Sequence, residues 1–360
     1  MTFEELLRLT PSSLDQPAKE AVLLDLLNET TRWHRARCLE YDRLLRILHP
    51  GFDAADRLDD IPFVPVGLFK THKLLSVPTE AVTTILSSSG TTGQQVSRIY
   101  LDRVTAQRQT AALVHALSAI LGTERLPMII IDTEAVLRDP AQFSARAAGI
   151  RGLMNFGRQH FYALDQNMEL DRQGLAGFVS KHGGRPFLMF GFTFMVWQYF
   201  YQRIAEAGMD LSRGILIHSG GWKKLQDQAV TNSEFKSRLH KSTGLKRVHN
   251  FYGLAEQVGG IFLEGEDGYL HPPNFCDVII RDPVTWHQAP PGVPGVIQVL
   301  SPVPLSYPGH SILTEDIGVL HSTDDPASEW QGKSFTVIGR APRAELRGCS
   351  DTHAFAAVTS

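Results

Sequence analysis

Val82-Thr-Thr-Ile-Leu-Ser87-Ser-Ser-Gly90-Thr-Thr-Gly93 is the stretch on which the fold turns. Its first half is a β-branched run, the composition of a strand. Its second half is a loop of hydroxyls and glycines. Gly90 and Gly93 give the backbone freedom for a tight turn, so the hydroxyls and N–H groups of Ser88, Ser89, Thr91 and Thr92 can converge on phosphate oxygens. The Gly-x-x-x-x-Gly-Lys spacing of a Walker loop is absent. A flexible surface turn is the other reading of the same residues.

Upstream, Leu23, Leu24, Leu26, Leu27, Trp33, Leu39, Leu44, Leu45 and Leu48 recur at helical spacing until His49-Pro50-Gly51 stops them. The prolines of Ile61-Pro-Phe-Val-Pro-Val-Gly-Leu-Phe-Lys70 forbid a helix interior and predict an extended or looped segment. Downstream, 97–101 reads as a short strand. Asp102 can cap a helix marked by Leu113, Ala116, Leu117, Ile120 and Leu121, with Gly122 at its end. Apolar runs at 128–131 and 214–217 alternate with helical stretches near 141–152, 171–181 and 194–207. This alternation predicts an α/β fold with a sheet buried on both faces. After Val248, short strands at 259–263, 278–280, 295–300 and 335–338 are broken by Gly and Pro. They predict a β-rich section, either a small barrel or a second sheet.

Composition removes other classes. Lys and Arg number 35 against 38 Asp and Glu, a net charge of −3, so no basic coat exists for sequence-independent nucleic-acid binding. No run reaches the roughly 18 apolar residues of a membrane span, and the acidic N-terminus is unlike a signal peptide. Cys38, Cys276 and Cys349 are too far apart for a disulfide framework or a zinc knuckle, so a reducing, cytoplasmic compartment is expected. Histidines 218, 249, 271, 310 and 321 are too dispersed to suggest a metal cluster. The 360 residues divide by texture into a helical segment (1–60), an α/β core turning β-rich after 248 (61–338) and a short tail (339–360).

Four ordered segments carry a resemblance. Ser88-Ser-Gly-Thr-Thr-Gly93 resembles the phosphate loop of the adenylate-forming enzymes, the superfamily of acyl-CoA ligases, luciferase and peptide synthetases. Asn250-Phe-Tyr-Gly-Leu-Ala-Glu256 is similar to its Tyr-Gly-x-Thr-Glu motif. Leu313-Thr-Glu-Asp-Ile-Gly318 stands in the place of its aspartate motif, and Ile338-Gly-Arg340 through Leu346-Arg-Gly348 resembles its hinge. Pro65-Val-Gly-Leu-Phe-Lys70, His218-Ser-Gly-Gly-Trp-Lys-Lys224 and Arg347-Gly-Cys349 are similar to segments of the LuxE-type acyl-protein synthetases.

That resemblance implies a large adenylate-forming α/β domain with a β-rich C-terminal lobe. It implies ATP and Mg²⁺ as cofactors and a carboxylic acid, with fatty acids used by the luminescence-type relatives, as substrate. The acid becomes an acyl-adenylate, the acyl group moves to a cysteine, and a partner such as a reductase or carrier receives it. Larger relatives carry a catalytic lysine in a mobile C-terminal domain. Here the chain ends at Ser360, so that domain is expected to be missing or vestigial. Pro342 and Glu345 replace the acidic residue and the lysine usual in the hinge.

Each role has a physical reason and a structural alternative. Glu256 would hold Mg²⁺, a hard cation preferring carboxylate and phosphate oxygens, or is a solvated loop carboxylate. Asp316 would accept from ribose hydroxyls, or caps a turn. Gly220, Gly221 and Gly253 let backbone approach a flat base, and Tyr252 would stack on it or pack in the core. Arg340 would bind ribose or phosphate, or make a surface salt bridge. Lys70, Lys223, Lys224 and His249 are candidates to replace the catalytic lysine, against solvated or structural roles. Cys349 is the acyl acceptor, activated by Arg347, or a small buried hydrophobe. The aromatic run 187–200 walls an acyl pocket or is plain core. The alternatives to an acyl-protein synthetase are an acyl- or aryl-CoA ligase and a non-catalytic nucleotide-binding scaffold.

Overall fold

The computed structural model describes residues 1–87, 96–137, 145–205 and 208–341. Short apolar strands alternate with capped helices. The helices are α1 (Phe3–Leu6), α2 (Gln16–Arg35), α3 (Leu39–Leu48), α4 (Leu68–Thr71), α5 (Arg103–Leu121), α6 (Ala145–Met154) and α7 (Arg172–His182). They continue with α8 (Thr193–Met195), α9 (Gln202–Ile204) and α10 (Asn232–Thr243), and a π-helical stretch, Val196–Tyr201, joins α8 to α9. Side chains at the N-caps explain several starts. Asp15, Asp102, Asp171 and Thr231 accept from backbone N–H groups of the first turns of α2, α5, α7 and α10. Gly122 and Gly244, both at positive φ, end α5 and α10.

The strands are β1 (Val64–Pro65), β2 (Val82–Ser87), β3 (Arg98–Asp102), β4 (Leu126–Thr133), β5 (Gly157–Leu164), β6 (Phe187–Phe192) and β7 (Gly214–Ser219). Then follow β8 (Arg247–Gly253), β9 (Ile261–Glu264), β10 (Leu270–His271), β11 (Asp277–Arg281), β12 (Pro294–Leu300), β13 (Ser311–Thr323) and β14 (Lys333–Arg340). One large sheet runs β11-β12-β13-β14-β10-β9-β8-β7-β6-β4-β5, with β1 added parallel to β13. From β5 to β8 the pairing is parallel; from β8 to β11 it is antiparallel.

Alternate residues of the parallel strands feed two cores, as a sheet covered on both faces requires. Met128, Ile130, Leu188, Phe190, Ile215 and Ile217 join one core with residues of α5 and α6. Ile129, Ile131, Phe187, Met189, Leu216 and Val248 join the other with residues of α7, α10 and the π-helical stretch. The run 187–200 is therefore mainly core: Phe187, Phe190, Trp197 and Phe200 are buried.

Two expectations change. β2 does not enter the large sheet; it pairs only with β3, as an antiparallel hairpin. Its burial alternates, and Ile85 is exposed, so the strand never had two apolar faces to bury. The β-rich section is likewise no separate barrel or second sheet, because β9 pairs directly with β8 and continues the ladder.

Leu23, Leu27, Tyr41 and Leu45 of the N-terminal helices pack in the same core as Val278, Val299 and Ile312. Polar contacts fix this docking. His310 Nε2 lies 3.0 Å from Thr31 Oγ1, and the His34 and His310 rings stack with centroids 5.0 Å apart. Gln16 Nε2 donates to the buried Asp277 at 2.7 Å, and Lys333 Nζ donates to the same oxygen at 3.1 Å. Among the described residues, no helix is long and apolar enough to cross a membrane.

Candidate active site

Parallel α/β sheets place ligands beyond the carboxyl ends of their strands, where the backbone N–H groups and loop side chains converge. Here β6, β7 and β8 end level with one another: Phe192 pairs with Ser219, and Ser219 with Phe251. The chain then turns at Gly220, whose φ of +82° lies in the left-handed region that favours glycine. A Cβ on Gly221 would meet nothing within 4 Å, so this backbone is open to a flat ligand. A Cβ on Gly253, at the end of β8, would lie 3.1 Å from the Gly260 carbonyl, so the close approach of β9 explains that glycine.

The curved sheet also brings β13 back to β8. Tyr252 Oη donates to Asp316 Oδ2 at 2.7 Å. Asp316 pairs in register with Arg340 on β14, whose Nε lies 3.8 Å from Asp316 Oδ1. Burial raises the Asp316 carboxyl above its ordinary value, against the pull of the Tyr252 hydroxyl and of Arg340. Burial also raises the Tyr252 phenol, so it remains a donor at neutral pH. Tyr252, Asp316 and Arg340 are thus one unit. Arg340 is mostly exposed and free to reach a ligand.

Next to Asp316, Glu315 Oε1 lies 3.8 Å from Lys70 Nζ. Lys70 comes from α4, held over β13 by the pairing of Val64 with Ile312 and Pro65 with Leu313. Glu256 is buried in the turn after β8, with its carbonyl accepting from Tyr307 Oη at 2.9 Å. The described residues contain no group of three or more His, Cys, Asp or Glu able to cage a metal alone. A single buried carboxylate fits Mg²⁺, which takes most of its other ligands from phosphates and water.

Other expected residues fall elsewhere. His249 is buried, and burial lowers its pKa. Its Nδ1 lies 2.9 Å from the Glu264 carbonyl, which only an N–H can satisfy. A neutral, donating imidazole cannot replace a catalytic lysine, so that role is withdrawn from His249. Lys223 and Lys224 open a 3₁₀ turn just past Gly221, and their side chains lie outside the described set. Ser88, Ser89, Gly90, Thr91, Thr92, Gly93 and Cys349 also lie outside the described residues. The cleft between α2 and β11, lined by Glu20, Arg57, Gln288 and Lys333, contains none of the site residues.

Three residues were given no site role from the sequence, although Asn250 and His218 open two of the quoted segments. Asn250 precedes Tyr252 on β8, and its Oδ1 is buried without a hydrogen-bond partner among the described residues. A buried acceptor without a donor beside the open glycines is ready for a ligand N–H. His218, its register partner on β7, also leaves Nε2 unpartnered among the described residues. Thr193 Oγ1 donates to the Ser219 carbonyl, so it accepts from His218 Nδ1–H, and Nε2 is left as a bare acceptor. Glu264, buried on β9, accepts from Asn250 N at 2.8 Å and pairs with Lys236 Nζ at 2.6 Å. It also accepts from the side chain of Asn232. Glu264 had no visible signal, whereas Asn250 stands two residues before the tyrosine and His218 opens the segment that holds Gly220 and Gly221.

Comparison with known proteins gives the family and the fold. The family model for the acyl-protein synthetase LuxE matches residues 5–356. A long-chain-fatty-acid–luciferin-component ligase of Aliivibrio fischeri is 22% identical over 334 residues, covering 90% of this chain and 86% of that protein. The Vibrio harveyi protein of the same name is 22% identical over 357 residues, covering 95% of this chain and 89% of that one. Among solved structures, an open conformation of 2-hydroxyisobutyryl-CoA ligase, in complex with 2-HIB-AMP and CoA, has a TM-score of 0.66 at 14% identity. It is matched over 92% of this chain and 79% of its own. The thioesterification state of that ligase gives 0.67 at 14% identity, over 93% of this chain and 70% of its own. These likenesses place the chain on the adenylate-forming ligase fold. It belongs to the LuxE acyl-protein synthetase family, and is an enzyme that activates an acid as its acyl-adenylate and hands the acyl group on.

Proposed function

We propose that the chain uses ATP to activate a long-chain fatty acid, holds the acyl group as a thioester on Cys349, and delivers it to a partner reductase or carrier. The observation that carries this reading is the Tyr252–Asp316–Arg340 unit at the end of β8, the strand paired with the one that leads into Gly220 and Gly221. The adenine lies between that backbone and Tyr252, and its amino group donates to Asn250 Oδ1, which has no partner among the described residues. Asp316 accepts from the ribose hydroxyls, and Arg340 lies beside it. The hydroxyls and N–H groups of 88–93 bind the phosphates. Glu256 would hold Mg²⁺, which supplies charge neutralisation at the phosphates when bound. The fatty-acid substrate follows the names of the two bacterial relatives.

The chemistry is an in-line displacement. A carboxylate oxygen attacks the α-phosphorus, the bond to the β-phosphate oxygen breaks, and pyrophosphate leaves. The site's part is to align the two anions and offset their repulsion. A thiolate then attacks the acyl carbon and AMP leaves. Of the three cysteines, Cys38 and Cys276 are buried, and burial raises both thiols, Cys276 to about 12. Neither is a nucleophile at neutral pH. Cys349 remains. The backbone N–H of Ala341, eight residues before Cys349, donates to the Glu315 carbonyl at 2.8 Å. Eight residues span up to about 27 Å, enough for Cys349 to reach the adenylate.

The test is fatty-acid-dependent ATP–pyrophosphate exchange together with protein labelling by a radioactive acid. Cys349→Ser keeps exchange and loses hydroxylamine-sensitive label. Labelling unchanged in that variant removes the acceptor role, and wild-type enzyme without exchange removes the ATP-dependent activation.

A further inference from the structure

We propose that Thr314 is a positioning residue of the nucleotide site: its hydroxyl latches a bulge in β13 and thereby aims Asp316 at the ribose. This rests on the ribose reading of Asp316 proposed above.

The bulge is visible in the strand register. In a regular antiparallel ladder each residue faces one partner. Here Leu313 faces Gln298 and Ile317 faces Val296, so Thr314, Glu315 and Asp316 together stand against Ile297 alone. The neighbour on the other side is irregular at the same height. Ile317 faces Gly339 and Gly318 faces Val337, so β14 carries Ile338 as an extra residue. Bulges bend a strand, re-aim its side chains and leave backbone groups without ladder partners. Both irregularities adjoin the Asp316–Arg340 pair.

Thr314 answers the groups that the bulge sets loose. Its Oγ1 donates to the Ile297 carbonyl at 2.8 Å and accepts from the Asp316 N–H at 3.1 Å. A hydroxyl has the one proton and the lone pairs for both bonds. Thr314 is only 5% exposed and Ile297 is fully buried, so little water competes for them. Asp316 is then anchored at both ends, its backbone by Thr314 and its carboxylate by Tyr252 Oη at 2.7 Å. The latch also separates two adjacent acids. Glu315 turns toward Lys70, with Oε1 3.8 Å from Nζ, whereas Asp316 faces Tyr252 and Arg340. Valine has nearly the shape of threonine without the hydroxyl, so it removes the latch and leaves the packing. The freed Asp316 N–H and Ile297 carbonyl then seek other partners, and the carboxylate loses its aim.

The experiment compares ATP with 2′,3′-dideoxy-ATP in fatty-acid-dependent pyrophosphate exchange, because the second nucleotide lacks the hydroxyls from which Asp316 accepts. Wild-type enzyme is expected to prefer ATP about thirtyfold in kcat/KM, the scale of hydrogen bonds to a charged group. Thr314→Val is expected to lose about tenfold with ATP and to stay within about twofold of wild type with the dideoxy nucleotide. Thr314→Ser keeps the hydroxyl and is expected to stay within about twofold of wild type with both. Equal loss with both nucleotides would make Thr314 structural, and loss with neither would make it a bystander; either result overturns the assignment. A Thr314→Ser variant as impaired as Thr314→Val would overturn it too, because the hydroxyl would then not be the cause. Wild-type enzyme that uses both nucleotides equally would instead overturn the ribose reading of Asp316 on which the assignment rests.

Discussion

Tyr252 and Asp316 stand 64 residues apart in sequence, yet the hydroxyl of one donates to the carboxylate of the other at 2.7 Å. The bond ties the end of the parallel section, at β8, to the antiparallel section, at β13. The hydroxyl favours the ionised carboxylate, against the burial that raises its pKa.

Removing that hydroxyl changes both affinity and pH dependence. Tyr252→Phe is expected to raise the KM for ATP about tenfold, the scale of one lost hydrogen bond to a charged group. The phenol lowers the Asp316 pKa, so its loss raises that pKa further. Activity that needs the carboxylate is lost as pH falls through this value. The acid limb of the pH–kcat/KM profile therefore moves to higher pH in Tyr252→Phe. An unmoved limb would show that Asp316 does not titrate in the working enzyme.

Glu264 joins β8, β9 and α10 through Asn250, Lys236 and Asn232. Glu264→Ala leaves a half-buried ammonium and a backbone N–H without their partner. The expected loss is about 3 kcal/mol of stability, read as a lower urea midpoint with an unchanged m-value. Glu264→Gln keeps some of the hydrogen bonds and is expected to lose less.

Acid sensitivity follows from buried neutral histidines. Burial holds His218 and His310 at about 3, and His34 well below its ordinary value. In the unfolded chain each takes a proton near pH 6.5, so unfolding binds protons between about pH 6.5 and 3. Stability is complete above this window and falls as pH drops through it, by about 1.4 kcal/mol per pH unit for each histidine. Urea titrations at pH 7.5, 6 and 5 measure the slope. His310→Gln is expected to flatten it by one histidine's share.

Native-state alkylation separates the cysteines. Iodoacetamide at pH 7.5 is expected to leave Cys38 and Cys276 unmodified, because both thiols are buried and raised. In urea all three react. Modification of Cys276 in the native enzyme would contradict its burial.

Much of this protein was legible in its residues. Local chemistry placed the cap at Asp102, the stop at Gly122, the end of α3 before Pro50 and the strand within Gly214–Ser219, because caps, breakers and apolar runs act over a few residues. Ordered motifs carried the family, since each keeps its chemistry in a short segment. Tertiary structure alone decided which segments meet. Only the curvature of the sheet brought Tyr252 to Asp316, and only the β1–β13 pairing brought Lys70 to Glu315. Only burial neutralised His249, excluded Cys38 and Cys276, and left the Asn250 acceptor without a partner among the described residues. The physical reason is that hydrogen-bond partners and desolvation belong to a residue's neighbours in space, whereas propensity and periodicity belong to its neighbours in the chain.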